Sequence, residues 1–219
     1  MPRKRTPMTL EEKISRRLTK ILRHEAPTRK IPYDTHGGVE KDMILSMPEF
    51  DESGVDWNFI QRIVETNSKK RFAIYHDEED VERICALQGH SFSVSPFLSE
   101  TITKDNYAEL GINLDMIVHG TYYEYLKSIV TLGLSRMSRT HIHFGVNVPE
   151  SGEVLSGMRK SCEVMIFIDI LSAIEDGYTF TLSNNKVILT PGNSDGFLPS
   201  KYFTSIVDRK SGNQIPAIN

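Results

Sequence analysis

Cysteine is scarce in this chain: Cys85 and Cys162 are the two in 219 residues. Two thiols make neither a disulfide framework nor a cysteine-only zinc site, so the fold must rest on apolar burial. The compartment expected is a reducing one, cytoplasmic or nuclear. No apolar run approaches the roughly 20 residues of a membrane helix, and the opening MPRKRTPMTLEEK lacks the apolar centre of a secretory signal. Glycine never falls into a GxGxxG pattern, which removes a Rossmann dinucleotide site. Repeats and low-complexity tracts are absent too. What remains is a globular chain with 39% hydrophobic and 25% charged residues, long enough for one large domain or two small ones.

The net charge of −3 argues against non-specific nucleic-acid binding, but its distribution is uneven. Residues 1–30 hold ten Lys/Arg against three Glu, a local +7, and residues 31–60 hold seven Asp/Glu against one Lys, a local −6. Such a basic first element is either a solvated helix face or a surface that meets an anion.

Thr9 and Glu12 have capping-box spacing. Leu10, Ile14, Leu18, Ile21 and Leu22 follow at helical intervals, with Lys13, Arg16, Lys20 and Arg23 on another stripe and His24 near the end. DWNFIQRIVETN predicts another helix with Ile60, Ile63 and Val64 inward. RFAIY and VERICALQ around the polar HDEED predict a β-hairpin. Residues 1–95 are thus expected to form a small α+β lobe like a winged helix, with 96–112 a connection. In 113–219, MIVHGT predicts a strand and YYEYLKSIVTLGL a helix stopped by Gly133. VMIFIDI, YTFTL and KVILT predict further strands. The missing strand–helix alternation argues against a doubly wound parallel sheet. In MSRTHIHF, strand alternation would align Arg139, His141 and His143 on one face. Solvated surface, a His-x-His metal pair and an anion-binding row all fit that pattern.

Three polar clusters carry the chemistry: LRH at 22–24, QGHS at 88–91, and HGT with RTHIH between 119 and 143. None has a carboxylate in its motif, whereas zinc or carboxylate hydrolases place acidic groups beside their histidines. Arginine with histidine and no acid is how a protein grips phosphate: fixed cationic donors plus a titratable proton carrier. A phosphate ester is therefore the expected substrate, and no metal is expected.

In this order SRRLTKILRH, DTHGGVEKDMIL, RF, QGHS, MIVHGT, GLSRMSRTHIHF, DGYTFTLSNNKVILT and LPSKYF resemble the RNA 2′-phosphotransferase family across residues 14–206. The resemblance implies an α+β protein with an N-terminal winged-helix RNA lobe and a C-terminal ADP-ribosyltransferase-like lobe of mixed or antiparallel strands. It implies an NAD-dependent enzyme of tRNA splicing, with NAD and an RNA carrying an internal 2′-phosphate (spliced tRNA) as partners, and a monomer. The phosphate attacks the NAD ribose and expels nicotinamide; the products are 2′-hydroxyl RNA and ADP-ribose 1″,2″-cyclic phosphate. A phosphomonoester with a second pKa of about 6 is already an anionic nucleophile, which accounts for the missing carboxylate.

Carried over by position, the resemblance puts Arg23, His24 and Arg139 in catalysis. It puts His119, Gly120, Thr121, His141 and His143 at NAD, with Gly120 admitting close backbone approach. Thr121 is a ribose contact or the cap of the next helix. Arg16, Lys20 and His90 fall to RNA or phosphate, His90 equally to support of the hairpin. The expectation is that Arg23 and Arg139 converge on one phosphate. Departures are Cys85 where the family pattern has an arginine, Gly145 for a small polar group, Lys186 for a glycine, and Gly38 for an aromatic. Arg83, two residues before Cys85 and about 6.6 Å away along a strand, is expected to take the missing role. Two alternatives follow: a weak or inactive RNA/NAD-binding homologue, and an ADP-ribosyltransferase that caps terminal nucleic-acid phosphates.

Overall fold

A computed structural model describes residues 7–51, 54–95, 97–146, 158 and 161–216. The cations of the opening MPRKR therefore lie outside the described residues. The chain divides into two compact units, residues 1–95 and 96–219, each with its own core.

In the first unit, α1 (Leu10–Lys20) starts where the capping box predicts: Glu12 N donates to Thr9 Oγ1 and Thr9 N to Glu12 Oε2, each at 3.2 Å. Ile14 and Leu18 are fully enclosed. A two-residue strand β1 (Val39–Glu40) leads into α2 (Lys41–Leu45). In α3 (Trp57–Thr66) Asp56 caps Phe59 N at 2.8 Å, and Ile60 and Ile63 point inward while Val64 is partly covered. The hairpin pairs β2 (Phe72–His76) with β3 (Glu82–Ala86) in the register Phe72↔Ala86 to His76↔Glu82. Asp77 Oδ1 accepts from Glu79 N and Val81 N and fixes its turn. β1 joins the far side of β3, giving an antiparallel sheet of order β1-β3-β2.

The second unit begins with β4 (Ser99–Thr101), so residues 96–112 are more than connection: β4 closes one edge of a seven-stranded sheet. The chain continues through β5 (Val118–Thr121), α4 (Tyr123–Leu132), β6 (Leu134–Ser135), β7 (Ile142–Gly145), β8 (Val164–Ile168) and α5 (Ile170–Glu175). It ends with β9 (Thr181–Ser183), β10 (Val187–Thr190), β11 (Phe197–Leu198) and β12 (Phe203–Asp208). The sheet order is β12-β8-β5-β7-β10-β9-β4, every pair antiparallel; β6 and β11 form a separate ribbon. Gly133, at φ 95°, ends α4 as its sequence requires, and a side chain there would strike the Leu198 carbonyl. The protein is α+β with antiparallel sheets.

The row Arg139, His141, His143 is only partly a strand. β7 starts at Ile142, and Arg139 and His141 lie in the bend before it. Arg139 N donates to Arg136 O at 3.1 Å, and Arg136 Nη1 to Arg139 O at 2.8 Å; these turn bonds replace ladder bonds. Ile142 and Phe144 enter the main core, as alternation predicts. His143, at 7% exposure, is covered as well, which excludes a solvated face.

Candidate functional site

In the first unit α1 does not end as an α-helix. Ile21–Glu25 form a π-helical turn, closed by Ala26 N donating to Ile21 O at 3.1 Å. Its extra residue lets Ile21 and Leu22 stay buried while Arg23 is half-buried and His24 exposed. Single π turns occur frequently at functional positions, and this one contains the LRH motif. The QGHS loop folds onto it: Ser91 N donates to Arg23 O at 2.9 Å, and His24 Nδ1 lies 3.2 Å from Ser91 Oγ. Gly89 has φ +84°, and a Cβ there would stand 3.3 Å from Arg23 Nη1, so the guanidinium lies against bare backbone. The DTHGG turn completes the join. Asp34 Oδ1 accepts from His36 N and Gly38 N at 2.9 and 2.8 Å, and a Cβ on Gly37 would stand 3.1 Å from His90 Nε2. His90 is buried and edge-on to Phe92 at 5.4 Å. Three motifs far apart in sequence therefore meet within one unit.

A groove of about 610 Å³ runs beside α1. Arg16, Lys20 and His24 line one wall, and Asn67, Ser68 and Arg71 stand among its other lining residues. Sequence reasoning missed Arg71. Its guanidinium is half-buried, and burial pushes its pKa down, though an arginine stays charged. Asn67 Oδ1 accepts from Arg71 Nη1 at 3.2 Å, and Arg71 O accepts from Leu87 N at 2.9 Å. The signal was the RF at the foot of the hairpin, read as the start of a strand and counted among the motifs of the resemblance without a role for its arginine.

Cys85 is fully enclosed, and burial pushes its thiol up to about 12, so it remains a neutral core group. Arg83 does not line the groove. Its Nε pairs with Asp77 Oδ2 at 2.5 Å, and Nη1 donates to Gly38 O at 3.5 Å, tying the hairpin to the DTHGG turn. Gly38 leaves room for the Tyr75 hydroxyl, which donates to Asp34 Oδ2. An aromatic ring thus reaches this turn from β2, although position 38 carries none.

In the second unit β5 and β7 lie side by side, with Val118 opposite Gly145. His119 consequently shares the face of Phe144, their rings 6.0 Å apart, while Gly120 and His143 take the opposite face. His119 Nδ1 lies 2.9 Å from His143 O. Burial lowers the His119 pKa, opposed by that hydrogen bond and assisted by the charge of Arg139. His141 is likewise lowered, by burial and then by Arg136, and its Nδ1 lies 2.8 Å from Thr140 Oγ1. His119 thus lies within the field of Arg139 and His141 within that of Arg136, and burial favours the neutral form of both imidazoles. That donor set fits a dinucleotide with a dianionic pyrophosphate.

Two details differ from expectation. A Cβ on Gly120 would stand 2.9 Å from Cys162 Sγ and 3.1 Å from Met158, so the space the glycine opens is filled by the protein's own side chains. Thr121 does not cap α4. The cap residue is Tyr122, without a side-chain bond, and Tyr123 N donates instead to Glu163 Oε2 at 3.1 Å. Thr121 is buried at the end of β5, where its carbonyl accepts from Glu163 N at 2.8 Å.

Comparison with known proteins agrees with these motifs. The family model described as RNA 2′-phosphotransferase, Tpt1 / KptA family, matches residues 9–192. The chain is 41% identical to tRNA 2′-phosphotransferase 1 of Bos taurus over 191 residues, 87% of this chain and 72% of the relative. It is 40% identical to the Homo sapiens protein of the same name over 191 residues, 87% and 73% of the two chains. With the tRNA 2′-phosphotransferase of Saccharomyces cerevisiae it shares 34% over 163 residues, 74% and 70% of the two chains.

Proposed function

Because the chain belongs to the RNA 2′-phosphotransferase family, we propose that it removes the internal 2′-phosphate of spliced tRNA by transfer to NAD. The observation that carries this reading is the join in the first unit. There hydrogen bonds join the LRH turn to the QGHS loop and Gly37 of the DTHGG turn packs against His90, beside a groove lined by Arg16, Lys20, His24 and Arg71. In this reading the first unit is the winged-helix RNA lobe, its α1, α3 and hairpin supplying the parts. The second is the ADP-ribosyltransferase-type lobe that takes NAD.

NAD supplies, when bound, an electrophilic ribose carbon with nicotinamide as its leaving group. The protein's part is charge neutralisation and proton supply. Arg71, in the groove lining, and Arg23, in the π turn beside it against Gly89, hold the phosphate oxygens. His24, exposed and bonded to Ser91, gives its proton to the departing ribose oxygen. Arg139 neutralises charge from the second unit, and His119, Thr121, His141 and His143 hold the dinucleotide. Arg71 takes the role expected of Arg83, whose guanidinium Asp77 engages. Cys85 is a buried core residue away from the groove lining, and the groove has its own arginine in Arg71, so Cys85 does not by itself favour a non-catalytic homologue. Loss of one such arginine lowers turnover on the order of 10²–10³-fold, by analogy with the loss of one preorganised donor.

The test is an RNA carrying an internal 2′-phosphate, incubated with the protein with and without NAD. NAD-dependent loss of the phosphate with release of ADP-ribose 1″,2″-cyclic phosphate is expected. RNA binding with no turnover, or accumulation of ADP-ribosylated RNA alone, would reject the assignment.

A further inference from the structure

The groove beside α1 has two ends of opposite charge. Arg16, Lys20 and His24 follow one another at four-residue spacing along α1 and its π turn, each about 6 Å further along the axis. That step is comparable to the separation of successive phosphates in an extended single strand. Arg71 lines the same groove. At the other end the lining turns acidic with Glu11 and Glu12. Glu12 is engaged in the capping box and Glu11 lies 4.0 Å from Arg62. The N-terminal dipole of α1 would otherwise favour an anion there; the two carboxylates cancel it.

The rest of the lining decides what the groove can read. Ser15 and Ser68 offer hydroxyls, those of Thr19 and Thr66 donate to Ser15 O and Arg62 O, and no Phe, Tyr or Trp is among the described lining residues. A surface of hydroxyls and cations without a stacking platform binds sugar–phosphate and ignores base identity. Lys20 pairs with Glu25 at 2.5 Å but is 71% exposed. Exchanging such a surface pair for a phosphate costs little.

Resting on the reading of this groove as the phosphate site, we propose that it is also a backbone subsite for the substrate RNA. It holds the two phosphodiesters flanking the 2′-phosphate on one side, through Lys20 and Arg16, and ends at Glu11 and Glu12. The enzyme then measures a short single-stranded flank of about two nucleotides, independent of sequence.

The test uses 2′-phosphorylated RNAs lengthened one nucleotide at a time on the 5′ or the 3′ side. Turnover is read as kcat/KM with NAD, and affinity by fluorescence anisotropy without it. Lengthening on one side raises kcat/KM about tenfold over the first two nucleotides, through KM, and then levels off. Arg16→Ala and Lys20→Ala each remove most of that gain and reduce the salt slope of binding by about one. The double variant Glu11→Gln/Glu12→Gln lets the gain continue into a third nucleotide. Equal affinity and equal kcat/KM at every length, or a length gain untouched by Arg16→Ala and Lys20→Ala, would overturn the subsite. Length-dependent affinity without turnover would leave the subsite standing and overturn the phosphotransferase reading instead.

Discussion

Two arginines with different partners separate the chemistry of this protein from its architecture. Arg71 lies in the groove, positioned by Asn67 Oδ1 at 3.2 Å, whereas Arg83 is held by Asp77 on the hairpin. Arg71→Ala should lower kcat/KM on the order of 10²–10³-fold with little change in unfolding temperature. Arg83→Ala should do the reverse, loosening the hairpin while turnover falls no more than a few-fold. Equal kinetic losses in steady-state assays would return Arg83 to the site. Gly38 makes a second residue-level case. A methyl group there would collide with the Tyr75 hydroxyl and lie 2.9 Å from Cζ, forcing the ring off Asp34. Gly38→Ala should cost about 1–3 kcal/mol in urea unfolding, through overpacking and a lost buried hydrogen bond. Tyr75→Leu, whose side chain ends short of Cζ, separates the causes: adding Gly38→Ala to Tyr75→Leu should cost little further stability, which would identify the collision as the cause.

Elements show where the sequence was legible. α1, α3, the β2–β3 hairpin and the stop at Gly133 follow from capping residues, 3.6-residue periodicity and turn chemistry, all local signals. The π turn could not be read, because ILRHE continues the helical pattern and only the loop folded onto it reveals the extra residue. β4 was hidden as a three-residue edge strand, too short for alternation to register. Arg71 was hidden because its importance lies in what lines a groove, a tertiary fact. In RTHIH the residue types pointed to the site, but the bend at Arg139 and the burial of His143 depended on neighbours in the sheet. Lys186 shows the opposite: the turn keeps the left-handed backbone, φ +57°, although the family's glycine is missing. The β5–β7 pair also sets a pH dependence. His119 has a folded pKa below its ordinary 6.5, so the unfolded chain binds more protons between the two values. Stability should fall as pH drops below about 6.5 and continue falling until the folded histidine protonates. Thermal unfolding from pH 8 to 5 should show this loss, reduced in His119→Gln; an unchanged slope in the variant would remove His119 as its source.

At the scale of the molecule, two cores support two chemically different sets of side chains, cations and hydroxyls in residues 1–95 and neutral imidazoles with arginines in residues 96–219. The proposed reaction makes a bond between an RNA phosphate and an NAD ribose, so turnover needs both sets even though each ligand needs only one. Binding should therefore be separable where catalysis is not. Arg71→Ala should weaken affinity for 2′-phosphorylated RNA and leave NAD affinity within about twofold. His143→Ala, in the buried centre of β7, should weaken NAD and leave RNA affinity unchanged at equal salt. Calorimetric titration of each variant with each ligand reads this directly, and both variants should have lost turnover. The salt condition matters, because with a net charge of −3 the molecule as a whole repels RNA and attraction comes from the local cations alone. If Arg71→Ala weakened NAD as much as RNA, the division of labour between the two units would be wrong.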